Sequence, residues 1–109
     1  MTAKILQINF KFNIPRGDYE TAVSHLAAQI AAVPGCRWKI WLMNEAGQES
    51  GGIYLFDDEV SLQIFLAGPI IAGVMRHPAL SNFSVKQFDV MPDVTAITRG
   101  PVQQPAHLV

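Results

Sequence analysis

Residues 36–56 read CRWKIWLMNEAGQESGGIYLF, and the patterning of this stretch sets the architecture. From Cys36 to Met43 the side chains alternate. Trp38, Ile40 and Leu42 share one face, while Arg37, Lys39, Trp41 and Met43 share the other. Gly52 to Phe56 alternates again, with Ile53 and Leu55 opposed to Tyr54 and Phe56. The polar residues Asn44 to Ser50 lie between. Two alternating runs joined by one polar loop predict an antiparallel hairpin.

On either side of the hairpin the pattern changes to the period of a helix. Upstream, Tyr19, Ala22, Val23, Leu26, Ala27 and Ile30 form one apolar stripe. Asp18 is the expected N-cap, and Val33-Pro34-Gly35 the stop. His25 falls off the stripe and is expected at the surface. Downstream, Asp57-Asp58-Glu59 places acids where a helix dipole favours them. Val60, Ile64 and either Leu66 or Ala67 are the expected inward residues. Gly68-Pro69 interrupts this helix, and Pro69 can start a short one through about Met75. His77 precedes Pro78, which disfavours helical geometry there.

Two more strands flank these helices. In Lys4 to Asn13, Leu6, Ile8, Phe10 and Phe12 point one way and Ile5, Gln7, Asn9 and Lys11 the other. Ser84 to Val90 is the expected fourth strand, ended by Pro92. The order β-α-β-β-α-β is the split βαβ arrangement. It predicts an α+β, ferredoxin-like domain over residues 1–92, with an antiparallel four-stranded sheet and both helices on one face. Residues 93–109, with Gly100, Pro101, Pro105 and His107, are expected as a C-terminal arm or tail. The other sheet face carries Ile5, Trp38 or Trp41, and Tyr54 or Phe56. Two such faces packed together would bury these residues, so a homodimer is expected.

Composition narrows the function. Of the 109 residues, 50% are hydrophobic and 16% charged, below the ~25% of an average domain. That argues for a packed core and against disorder. A net charge of -1 excludes a strongly basic nucleic-acid binder. The single cysteine, Cys36, excludes an intrachain disulfide and multi-cysteine zinc patterns. The most apolar stretch, Ile64 to Met75, is broken by Gly68, Pro69 and Gly73 and is too short to span a bilayer. The start Met1-Thr2-Ala3-Lys4 lacks the apolar core of a signal peptide, so cytoplasmic residence is expected. Gly68 to Gly73 has P-loop glycine spacing without the following Lys and Ser/Thr. Gly51-Gly52 leads into a strand, unlike a dinucleotide fingerprint. His25, His77 and His107 are scattered, with no pair at ligand spacing. A protein-bound metal is therefore not expected.

The blocks Gln7 to Asn13, Pro34-Gly35 before Trp38-Lys39-Ile40-Trp41, Gly51 to Phe56, and Val85 to Val90 resemble the YdhR family of mono-oxygenases. The similarity runs from about Ile5 to Pro101. It implies a protomer that pairs into a dimeric α+β barrel, a C-terminal arm across the partner subunit anchored by Val94 and Ile97, and kinship with antibiotic-biosynthesis monooxygenases that use neither metal nor flavin.

Oxygen chemistry without a cofactor needs an electron-rich substrate, such as a polycyclic phenol or quinol. The protein then supplies an apolar slot, a proton acceptor and donors for an anion. Trp38, Trp41 and Phe56 are candidates to shape the slot, although Trp38 and Trp41 face opposite ways and cannot line one surface. Phe10 and Phe12 either line a pocket between sheet and helices or fill it. Tyr54 can donate to a substrate hydroxyl, or be a structural tyrosine. His77 is a candidate base at a pocket mouth, or an exposed loop histidine. Lys39 can stabilise a phenolate or peroxide, or lay its stem on Trp41. Asn9 can orient substrate, or bond across a dimer. Cys36 is assigned no role. The function expected is a cofactor-independent monooxygenase of an aromatic or quinol-like molecule, with molecular oxygen as co-substrate. A non-enzymatic small-molecule binder, a haem-degrading relative and an isomerase-type relative are the alternatives, so whether the chain is an enzyme stays open here.

Overall fold

A computed structural model describes residues 2–102. Nine elements follow one another: β1 (Lys4–Phe12), α1 (Arg16–Ser24), α2 (Leu26–Ala31), β2 (Cys36–Asn44), β3 (Glu49–Phe56), α3 (Glu59–Leu66), α4 (Pro69–Met75), β4 (Leu80–Asp89) and α5 (Pro92–Ile97). The strands form one antiparallel sheet in the order β2-β3-β1-β4. This is the α+β, ferredoxin-like arrangement that the alternation of strand and helix periods predicts. His107 and Pro105 lie outside the described residues.

The register sorts the side chains by face. Leu6 pairs with Tyr54, which pairs with Lys39; Ile8 pairs with Gly52, which pairs with Trp41. These residues, with Phe10, Phe12 and Phe56, point to the helices. Tyr19, Ile30, Leu62, Phe65 and Ile71 meet them from the other layer. Complete burial of Leu62 contributes about 1.5–3 kcal/mol. Phe12 stacks on Tyr19 with ring centroids 5.1 Å apart. The Ser50 hydroxyl donates to the Leu42 carbonyl at 2.7 Å and shares a 2.7 Å hydrogen bond with the Tyr19 hydroxyl, so the buried polar atoms here are satisfied.

Several local expectations are corrected. The first helix is not continuous: it ends at Ser24 and restarts at Leu26, with His25 at the joint. Its N-cap is Pro15, and Asp18 lies in the first turn instead. Proline lacks the N–H that would be unpaired at a helix start, so the chain turns there without a side-chain cap. In α3 the inward residues are Leu62 and Phe65, while Val60 and Ile64 are each 67% exposed. This helix is apolar on most of its circumference, so periodicity alone does not choose a face. Asp58 accepts the Ser61 N–H at 2.8 Å and fixes where the helix begins. β3 and β4 begin earlier than the alternation suggests, at Glu49 and Leu80. Residues 93–97 of the expected arm are helical, within α5.

The opposite sheet face carries Ile5, Trp38, Ile40, Ile53 and Phe88. Leu55 on this face is fully buried. The chain after α5 returns to β2 of its own sheet. Trp38 Nε1 donates to the Pro101 carbonyl at 2.8 Å, and Arg37 donates to that of Val102 at 2.6 Å. Among the described residues, no helix is long and apolar enough to cross a membrane.

Candidate active site

A cavity of about 480 Å³ lies between the sheet and the helices. Its floor is made by Ile8 and Phe10 of β1, Lys39 and Trp41 of β2, and Gly52 and Tyr54 of β3. Tyr19, Val23 and Leu26 close one side; Ile70, Ile71 and Val74 of α4 close the other. His25, Gln29 and His77 add polar groups to the lining, and all three are exposed residues. Apolar walls with a few polar groups are the usual make-up of a small-molecule site.

Lys39 is the unusual group. A Cβ on Gly52 would stand 2.3 Å from Lys39 Cε, so the absent side chain is what lets the lysine stem cross the sheet. The nitrogen then rests 3.3 Å from the centroid of the Trp41 ring and 4.6 Å from that of Tyr54. Among the described residues no carboxylate forms an ion pair with it. The ring faces favour the cation, but burial opposes it more strongly and lowers the Lys39 pKa from 10.5 to about 7. Near neutral pH a large share of this amine is therefore an uncharged base.

The other titratable groups move the opposite way. Burial raises the Tyr54 hydroxyl well above its ordinary value. It has no hydrogen-bond partner among the described residues, yet it is not sealed from solvent. Burial thus keeps this hydroxyl in its protonated form. Burial also raises Tyr19, with the Ser50 hydrogen bond partly offsetting it, and raises the Cys36 thiol. His77 Nδ1 accepts the Ala79 N–H at 3.1 Å, so in the neutral ring the proton sits on Nε2.

Of the residues singled out from sequence, the fold brings Lys39, Trp41, Tyr54, Phe10 and His77 to one cavity. Four others lie elsewhere. Asn9 is on the opposite sheet face, donating to Glu49 at 3.0 Å and accepting from Gln7. Trp38 is also on that face, held by Pro101. Phe56 faces the helices but is fully buried against Phe65, with no cavity surface. Phe12 is taken up by its stack on Tyr19. The lining that went unrecognised is mostly helical: His25, Ile70, Val74 and Tyr19. Gly52 was legible as a signal, because glycine within a strand marks a close approach.

Residues 5–101 match the protein family described as "Putative mono-oxygenase ydhR". No curated protein sequence matches the chain. Several solved structures share the fold. A protein of unknown function from Nitrosomonas europaea, NE2512, is 19% identical with a TM-score of 0.74, covering 98% of each chain. SnoaB, a cofactor-independent oxygenase from Streptomyces nogalater, is 18% identical with a TM-score of 0.67, over 85% of this chain and 100% of its own. The haem-degrader MhuD from Mycobacterium tuberculosis is 21% identical with a TM-score of 0.62, over 82% and 97%.

Proposed function

The chain belongs to the ydhR mono-oxygenase family, and from that premise we propose that it oxidises an apolar, planar hydroxyaromatic or quinol-like compound in the cavity, without a resident cofactor. The observation that carries this reading is Lys39: an amine without an ion-pair partner, set between two aromatic rings at the wall of an apolar cavity.

Neutral Lys39 takes the proton of a substrate hydroxyl, and the ammonium so formed stays beside the phenolate. Electrostatic support of a developing anion in a low-dielectric site is a large catalytic effect. The ring face of Trp41 supplies a surface for stacking. Tyr54, held protonated, donates to the oxygen anion that follows. The electrons come from the substrate. For a ring C–H para to the substrate hydroxyl oxidised to a quinone carbonyl, one oxygen atom of dioxygen enters the product and the other leaves as water with that ring hydrogen and the hydroxyl hydrogen. All four electrons that reduce dioxygen are then accounted for.

Oxygen uptake with a panel of polycyclic phenols and quinols tests the proposal. Uptake matched by product is expected, with Lys39→Met lowering kcat by at least 10²-fold, the usual scale for lost acid–base catalysis. No uptake above the buffer rate across the panel would overturn it. A non-enzymatic binder is the competing reading, favoured by the same apolar walls. Tyr54→Phe separates the two: a binder keeps its affinity, whereas an oxygenase loses turnover with little change in binding.

A further inference from the structure

We infer that Lys39 is also a covalent site, one that condenses reversibly with apolar aldehydes or ketones entering the cavity to form an imine. Three features of the geometry support this. The stem lies across Gly52, whose missing side chain leaves it room, and the nitrogen rests 3.3 Å from the centroid of the Trp41 ring. That place borders a cavity of about 480 Å³ whose walls are largely Ile, Leu, Val, Phe and Trp side chains. And the nitrogen has no protein hydrogen-bond or ion-pair partner among the described residues while remaining accessible, so its lone pair is not already engaged.

The chain has three other lysines, and none is placed this way. Lys4 is paired with Asp89 and Glu59. Lys11 lies near Glu49 and donates to the Gly47 carbonyl. Lys86 is exposed on an edge strand. Lys4 and Lys11 are thus engaged by protein oxygens, and Lys86 stands in solvent away from the cavity. The titratable groups lining the Lys39 site are Tyr19 of α1, His25 at the helix joint, Tyr54 of β3 and His77 before β4, with Cys36 beside it on β2. None is a carboxylate; Cys36 and the two ring faces favour the charged amine, and burial outweighs them.

The chemistry balances within the two reactants. The nitrogen lone pair forms a C–N bond to the carbonyl carbon, and the C=O π electrons move to oxygen. Both amine hydrogens then leave with that oxygen as water, which produces the C=N bond. No oxidant or reductant is needed. An apolar cavity favours the step, because it excludes the bulk water that would hydrolyse the imine. Carbonyl compounds of this kind are a ligand class distinct from the hydroxyaromatic substrate of the oxygenase reading. The inference rests on the cavity and the lysine alone, and oxygen uptake plays no part in testing it.

The experiment is reductive trapping. The full-length protein is incubated at neutral pH with naphthaldehyde and cyanoborohydride, and the adduct is located by mass spectrometry of its peptides. A single added mass is expected, on Lys39, at least tenfold above the labelling of Lys4, Lys11 or Lys86. Lys86→Met should leave the adduct unchanged, and Lys39→Met should abolish it. Labelling spread evenly over the four lysines, or concentrated on Lys86, would overturn the inference. Mapping in the wild-type protein separates these outcomes even if Lys39→Met does not fold. In addition, the initial rate of adduct formation at Lys39 should level off above about pH 7. A rate still climbing towards pH 10, as for an ordinary lysine, would also count against it.

Discussion

Lys39 makes a stability prediction as well as a chemical one. Its folded-state pKa is about 7, against an ordinary 10.5 for the unfolded chain. Between these values the unfolded chain binds a proton that the folded chain does not. Stability therefore rises with pH through that window. Lys39→Met removes this contribution, so the variant should gain most over the wild type at and below neutral pH. The gap should close as pH approaches 10. Urea denaturation of both proteins across the window measures it, and parallel profiles would contradict the placement of Lys39. Sequence already set Lys39 on the same strand face as Trp41, through the alternation of residues 36–43. What it left open was whether that face met helices or solvent. The same alternation put Asn9 and Trp38 on the opposite face from their neighbours, and only the packing showed that this face is not the cavity's.

Turns and helix starts carry the next set of constraints. Gly35 joins α2 to β2 with φ +82°, and its carbonyl accepts the Asp57 N–H at 2.8 Å. A Cβ there would stand 2.3 Å from Ser61 Oγ and 2.4 Å from Ser61 Cβ, at the first turn of α3. Gly35→Ala thus combines a left-handed backbone with a collision. It is expected to cost on the order of 1–3 kcal/mol from the backbone alone, and more from the clash. An unchanged denaturation midpoint would refute this. Pro34-Gly35 was readable as a helix stop, but the Ser61 contact is not local and leaves no trace in the sequence. The same limit explains α3. Its apolar residues surround most of the helix, so only the cap at Asp58 and the docking against β3 select Leu62 and Phe65 over Val60 and Ile64. The break at His25 is of the same kind, because the stripe from Tyr19 to Ile30 has no proline or glycine inside it.

Over the molecule as a whole, one sheet face has no helical layer like that of α1 to α4 among the described residues, and it exposes Ile40 and Phe88. Val94 and Ile97 of α5 are exposed too. We propose that a second copy of the chain covers this face. Sedimentation at micromolar concentration should give a dimer, and a monomer would contradict the proposal. Deleting the chain from Asp93 onward should weaken that dimer by at least tenfold. The deletion removes most of α5 and also the Pro101 and Val102 carbonyls that fix Trp38 and Arg37 at the edge of the same face. An unchanged dissociation constant would mean that the C-terminal segment serves only its own protomer.

Alternation at period 2 and recurrence at period 3.6 are local properties, set by backbone geometry over a few residues. They determined the β-α-β-β-α-β order, the sheet composition and the division of each strand into two faces. Which face receives the helices depends on how the crossovers pack back onto the sheet. Whether that layer closes or keeps a void depends on contacts between residues far apart in the chain. Gly52 beneath Lys39, Ile70 and Val74 opposite Tyr54, and the split at His25 are such contacts. The strands were therefore legible residue by residue, while the cavity, and with it the buried setting of Lys39, came into being only when the two layers met.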